Sequence, residues 1–169
     1  EVEAWLAPHL PDAPAVLDWG GDTGINSPFR ERNRLLHIHD ISGVELVSGA
    51  ERIEPQLIGK HRYDLVSCSQ VLEHVSFPYD QVQRILPALH PTTLLYLEVP
   101  HEALIREHPD SLELAPLKRH WHEHVNFFTE TAMRRLLGRL GLQVVDVLRL
   151  PVDVGWTRGE VMGVLARLA

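Results

Sequence analysis

The sequence predicts an α/β fold built on a mostly parallel sheet. Three observations lead there. Apolar runs of strand length recur along the chain, and several are near-continuous rather than alternating, as in strands buried on both faces. Helix-patterned segments lie between them, the alternation expected of parallel strands joined by crossovers. The first run ends in an acid and three glycines, Val16-Leu17-Asp18-Trp19-Gly20-Gly21-Asp22-Thr23-Gly24. A buried strand that runs into such a turn exposes backbone N–H groups for a ligand to touch.

The elements follow in order. A short amphipathic segment, residues 2–10, precedes the first strand at 15–19. The second strand is predicted at 35–40, ending in Asp40, and a short third at 44–47. A fourth follows at 63–67, a fifth at 94–99, and a final pair at 142–148 and 161–168. Val82, Ile85, Leu86 and Leu89 share one helical face and predict a helix over 80–89, with Pro87 a flaw near its end. Met133, Leu136, Leu137 and Leu140 predict a helix over 131–140. Thr129 suits its N-cap, and Gly141 stands just past its end. Only about twenty residues separate Asp40 from the fourth strand, too few for a full crossover and another helix. A shortened second crossover is therefore expected, with a helix lost or reduced to a turn near Ser42-Gly43 or Ser48-Gly49. In a parallel sheet, ligands bind at the carboxyl ends of the strands. That edge holds the glycine turn, Asp40, residues 69–74 and residues 100–102.

Composition bounds the partners. A chain of 169 residues is expected to form a single domain over 1–169, and its thin start suggests a trimmed N-terminus. A formal charge of -7 argues against nucleic acid. No apolar stretch has the length to span a bilayer, and no signal peptide is recognisable, so no membrane partner is expected. The single cysteine, Cys68, excludes an internal disulfide and fits a cytoplasmic location. Oligomeric state is left open.

Four stretches together resemble the class I S-adenosylmethionine-dependent methyltransferases. Residues 16–24 are similar to that family's first motif, apolar-apolar-Asp-x-Gly-x-Gly-x-Gly. Leu36-His37-Ile38-His39-Asp40 resembles its second strand and terminal acid. Tyr63-Asp64-Leu65-Val66 followed by Val71-Leu72-Glu73-His74 resembles its fourth motif. Leu95-Tyr96-Leu97-Glu98-Val99-Pro100 resembles its fifth strand. The resemblance covers roughly residues 14–150 and implies a Rossmann-like sheet with an antiparallel C-terminal strand. It further implies S-adenosylmethionine as cofactor, held by Asp18, Gly20, Gly21, Asp22, Gly24, Asp40, Ser69 and Gln70. A carboxylate at the end of a second strand can accept both ribose hydroxyls, the role this assigns to Asp40. Ser42-Gly43 directly after it also suits a turn, so Asp40 as a turn or capping acid stays open. Two departures stand out. Asp22 replaces a motif glycine, although Asp tolerates left-handed backbone angles. His90-Pro91-Thr92-Thr93 replaces the usual Pro-Gly-Gly before the fifth strand.

Glu73 and His74 would line the substrate side, or else cap the next helix and pack against neighbours. The other histidine-rich stretch is His120-Trp121-His122-Glu123-His124-Val125-Asn126-Phe127-Phe128-Thr129. On an extended segment His120, His122 and His124 would share one side, a candidate set of zinc ligands. No further ligand set accompanies them, and no metal is expected. The stretch is similar to the substrate-side segment of small-molecule and sugar methyltransferases. That resemblance implies that Glu123 and His124 orient the acceptor or take its proton. His124 is then the first candidate base and His74 the second. The expected function is methyl transfer to a small-molecule acceptor, specifically a sugar or glycan precursor. A non-catalytic binding or scaffolding domain of the same fold is the alternative. A nicotinamide-dependent dehydrogenase is disfavoured, because Gly-x-Gly-x-x-Gly is absent.

Overall fold

The structure is a computed structural model that describes residues 1–101, 123–153 and 158–169. Helix α1 (Val2–Leu6) leads into β1 (Ala15–Trp19), and β2 (Leu35–His39) and a two-residue β3 (Glu51–Arg52) follow. Next come β4 (Leu65–Ser69), α2 (Pro78–Ile85) and β5 (Leu94–Pro100). Helix α3 (Glu130–Arg139) precedes the long strands β6 (Leu142–Asp153) and β7 (Arg158–Leu168). The seven strands form one sheet in the order β3-β2-β1-β4-β5-β7-β6. The first five pair in parallel, and β7 runs antiparallel between β5 and β6. The expected Rossmann-like sheet with an antiparallel C-terminal strand is therefore present.

Strand register explains the near-continuous apolar runs. Every residue of β1 is buried. Leu17 packs with Val66, Leu97, Met133 and Leu137 on one face of the sheet. Val16 packs with Leu6, Phe29, Ile38 and Tyr96 on the other. Cys68 is fully buried on the first face, and burial pushes its thiol well up, as befits a core side chain.

The helices begin and end where local chemistry dictates. Thr129 caps α3 by accepting the Ala132 N–H at 3.2 Å. Pro78 opens α2 from its first turn, two residues before the predicted start. The α-helix then stops at Ile85, because Pro87 has no N–H to donate, and residues 86–88 tighten into a 3₁₀ turn.

Three expectations need correcting. The third strand is not at 44–47 but at Glu51–Arg52, paired with His37 and Ile38. Val47 instead donates its N–H to the Thr23 carbonyl at 2.9 Å, which ties this segment to the glycine turn rather than to a ladder. The fourth strand starts two residues late. Asp64 stands at its entry, where its N–H donates to the Ala15 carbonyl and its own carbonyl accepts the Leu94 N–H, both at 2.9 Å, while its carboxylate accepts the Ala15 N–H at 2.8 Å and Arg34 at 2.7 Å. The shortening also goes further than the second crossover. No helix joins β2 to β3, as expected, and none joins β1 to β2, where 20–34 run through successive turns.

Candidate active site

The carboxyl ends of β1, β2 and β4 bring the predicted cofactor residues to one edge. Gly20 leaves β1 at a φ of +81°, a left-handed value that suits glycine, and donates its N–H to the His39 carbonyl at 2.7 Å. A Cβ on Gly20 would stand 2.4 Å from Val71 Cγ2, and one on Gly21 would stand 2.5 Å from Asp18 Oδ2. The turn is thus pressed between the residue before Leu72-Glu73-His74 and the acid at the end of its own strand. Gly24 closes it with an N–H to the Gly21 carbonyl at 2.7 Å.

Asp18 lies beneath the turn at 5% exposure and accepts the Ser27 hydroxyl at 2.5 Å. Burial raises its carboxyl to about 6, with the Ser27 bond partly offsetting that rise. It therefore supports the turn rather than presenting itself at the surface. Asp22 adopts a left-handed φ of 52°, as a glycine would. Its backbone N–H donates to Asp40 Oδ2 at 2.9 Å, and its own carboxylate accepts the Ser42 hydroxyl at 3.3 Å. Asp40 Oδ1 accepts the Ser42 N–H at 2.7 Å. Partial burial opposes ionisation of Asp40, but the bonds from Ser42 and Asp22, with Arg52 nearby, hold its carboxyl below the usual range. Asp40 is thus the turn acid that Ser42-Gly43 suggested, and each oxygen keeps a lone-pair direction for a further donor. Ile41, the next residue, is 98% exposed at this edge.

Ser69 and Gln70 end β4. Both side chains donate to Glu98 Oε1, at 2.8 and 3.0 Å, and Gln70 takes a left-handed φ of 56°. Tyr96 donates its hydroxyl to Glu98 Oε2 at 2.5 Å, and burial against that carboxylate pushes the phenol well up.

The two histidine motifs meet. His74 Nδ1 donates to the Glu123 carbonyl at 2.9 Å, and the His74 and His124 rings stand 4.9 Å apart, edge to face. The Val125 and Asn126 N–H groups donate to the Glu73 carbonyl at 2.8 and 3.1 Å. Asn126 Nδ2 donates to the carbonyls of Leu72 at 3.0 Å and Val75 at 2.5 Å. Glu73 is buried to 1% exposure, with Oε1 3.8 Å from His74 Nε2. Glu123 meets this cluster through its backbone, and its side chain is exposed. His120 and His122, two of the three alternating histidines, lie outside the described residues, as does Glu102 of the predicted edge.

Sequence reasoning missed Ser27, Glu98 and Asn126. Asn126 carried a usable signal, a side-chain amide inside a histidine-rich coil just before a helix cap. Ser27 and Glu98 gave none, because their partners are 9 and 29 residues distant.

A family model described as a methyltransferase domain matches residues 3–147. The chain therefore belongs to the methyltransferase-domain family, with the fold of the class I S-adenosylmethionine-dependent enzymes. Solved structures agree on the fold. An S-adenosylmethionine-dependent methyltransferase of Mesorhizobium loti is 16% identical, with 97% of this chain and 96% of that chain covered and a TM-score of 0.64. The 1,6-didemethyltoxoflavin-N1-methyltransferase of Burkholderia thailandensis is 19% identical, covering 98% of this chain and 76% of that one, at a TM-score of 0.66. Magnesium protoporphyrin IX methyltransferase of Synechocystis is 15% identical, covering 98% and 80%, at a TM-score of 0.63. The last two were crystallised with bound S-adenosylhomocysteine. No functionally curated protein matches the chain in sequence. Among the described residues, no helix is long and apolar enough to cross a membrane.

Proposed function

We propose that this chain transfers a methyl group from S-adenosylmethionine to a hydroxyl of a small molecule, of the sugar or glycan-precursor class. The observation that carries the reading is the junction of Glu73, His74 and His124 beside the glycine turn, with Val71 bridging the two.

The residues present fit the cofactor. The Gly20–Gly24 turn has no room for side chains at Gly20 and Gly21. Asp40 supplies acceptor lone pairs for a ribose diol, and exposed Ile41 supplies an apolar face beside it. Ser69 and Gln70 would border the same pocket, with Asp18 holding the turn from below. Bound there, S-adenosylmethionine supplies an electrophilic methyl group.

The chain's own residues handle the acceptor. His74 carries its proton on Nδ1, fixed by the Glu123 carbonyl, which leaves Nε2 as a lone-pair donor when the ring is neutral. His124 stands against that ring and takes the acceptor's hydroxyl proton, with His74 the second candidate. Glu73 offsets the charge that an imidazole gains. A base of this kind contributes about 10²–10⁴ in rate. Val125 and Phe127, exposed just after His124 in the chain, suit the C–H face of a ring whose hydroxyls meet the imidazoles.

Calorimetry with S-adenosylhomocysteine and turnover on a panel of hydroxylated acceptors test this reading. Saturable product binding is expected, with a loss of about 10²-fold or more in turnover for His124→Ala. Failure to bind S-adenosylhomocysteine overturns the enzyme reading and leaves a scaffold of the same fold.

A further inference from the structure

We propose that Glu73, His74 and His124 form a binding site for a divalent transition-metal ion of the zinc class. The sequence offered alternating histidines on one segment for such a role. The fold instead joins one of them to the Glu-His pair of a different motif.

The donor atoms of the three side chains all lie within 4.8 Å of one another. In a finished site, ligands about 2.1 Å from a common ion stand roughly 3.4 Å apart, so the set closes by at most about 1.4 Å. The segments that carry the histidines can supply this movement. His74 sits in a turn after β4, and His124 in an irregular stretch before α3.

Chemistry favours the same class. Two imidazoles and one carboxylate are borderline ligands, which suit zinc, cobalt or nickel better than magnesium or calcium. Three protein ligands with a position left open is the arrangement of zinc sites that bind a water or a substrate oxygen.

The surroundings of His74 provide a second, independent indication. A ligating imidazole commonly donates its other N–H to a carbonyl or carboxylate, which fixes tautomer and ring orientation. His74 Nδ1 already donates to the Glu123 carbonyl at 2.9 Å, so Nε2 is the atom that faces Glu73. The backbone of Glu73 is held in turn by the Val125 and Asn126 N–H groups. One carbonyl and two N–H groups thus join the two motifs beside the three donors.

The inference rests on the acceptor-side reading only for the fourth ligand, which would be an acceptor hydroxyl oxygen. With the ion bound, both imidazoles are ligands rather than bases. The ion would lower the acceptor's pKa in their place, and the hydroxyl proton would leave to solvent water before the methyl group is transferred.

Chelator-treated full chain, without cofactor or acceptor, is titrated with Co²⁺ and followed by its visible absorption, then by displacement with Zn²⁺. One tight equivalent with the intensified absorption of a non-octahedral nitrogen-ligated site is expected. His74→Ala and His124→Ala should each weaken binding at least about tenfold, and the double variant should abolish it. Unchanged S-adenosylhomocysteine affinity in all three variants shows that the fold is intact. Absence of a tight equivalent, or equal binding by the double variant, overturns the proposal. Turnover by the chelated protein reports separately on the methyl-transfer reading, so the two can fail independently.

Discussion

The backbone N–H of Asp22 donates to Asp40 Oδ2 at 2.9 Å, tying the residue that departs from the family's glycine pattern to the acid at the end of β2. Because the donor is backbone, Asp22→Gly keeps the bond and gains a residue suited to a φ of 52°. S-adenosylhomocysteine affinity should stay within about threefold of wild type, with stability changed by less than about 1 kcal/mol. Asp40→Ala removes the proposed ribose acceptor together with the anchor for the Asp22 and Ser42 N–H groups. Loss of a charged hydrogen-bond acceptor predicts affinity lower by about 10–100-fold in calorimetry. Equal affinity in Asp40→Ala would remove Asp40 from the cofactor site.

A side chain at Gly20 should meet Val71 before it meets any ligand. A Cβ only 2.4 Å from Val71 Cγ2, together with the left-handed φ, predicts that Gly20→Ala costs about 1–3 kcal/mol in urea denaturation. Val71→Ala frees the space but leaves the backbone strain. In that background Gly20→Ala should cost measurably less, a coupling that a double-mutant cycle detects. Additive effects would mean that the two residues do not press on each other.

The strands that place the site were legible because burial on both faces leaves continuous apolar runs, as in Val16-Leu17 and Leu95-Tyr96-Leu97. The cap and stop of α3 were legible because Thr129 and Gly141 act locally. The third strand was not. Val44 and Val47 have strand-like side chains, but the N–H of Val47 goes to Thr23, a partner 24 residues back that no local pattern announces. The candidate site divides in the same way. The Asp40–Ser42 turn bond spans two residues and was readable from Asp-Ile-Ser-Gly. The meeting of His74 with His124 spans fifty residues; the Asn126 amide that helps hold it was visible in the sequence, but the Val125 and Asn126 N–H donors carry no side-chain signature.

Asp18 makes stability depend on pH in a defined direction. Burial raises its carboxyl from 3.8 to about 6, so between roughly pH 4 and 6 the folded protein keeps a proton that the unfolded chain has released. Its contribution to stability is therefore largest below pH 4 and falls as pH rises through that window. Asp18→Asn keeps an oxygen for Ser27 and does not titrate. Measured by denaturant at pH 4, 5, 6 and 7, the variant's stability relative to wild type should rise by up to about 3 kcal/mol. A pH-independent difference would show that the carboxyl is not raised.

Asn126 ties the His74 turn to the segment before α3 through one amide group. Its Nδ2 donates to the carbonyls of both Leu72 and Val75, on either side of Glu73 and His74. Asn126→Ala leaves those carbonyls to water and should cost about 1–3 kcal/mol. Asn126→Asp is the sharper test, because it preserves size while replacing the donor with an acceptor that faces two carbonyl oxygens. The Asp variant should be the less stable of the two at pH 7 and should recover as its carboxyl protonates. If Asn126 acts by positioning His74, kcat should fall in both variants while S-adenosylhomocysteine affinity holds, since the amide bonds to the Leu72 and Val75 carbonyls. Equal stability of the Ala and Asp variants at pH 7 would show that the amide does not bridge these two turns.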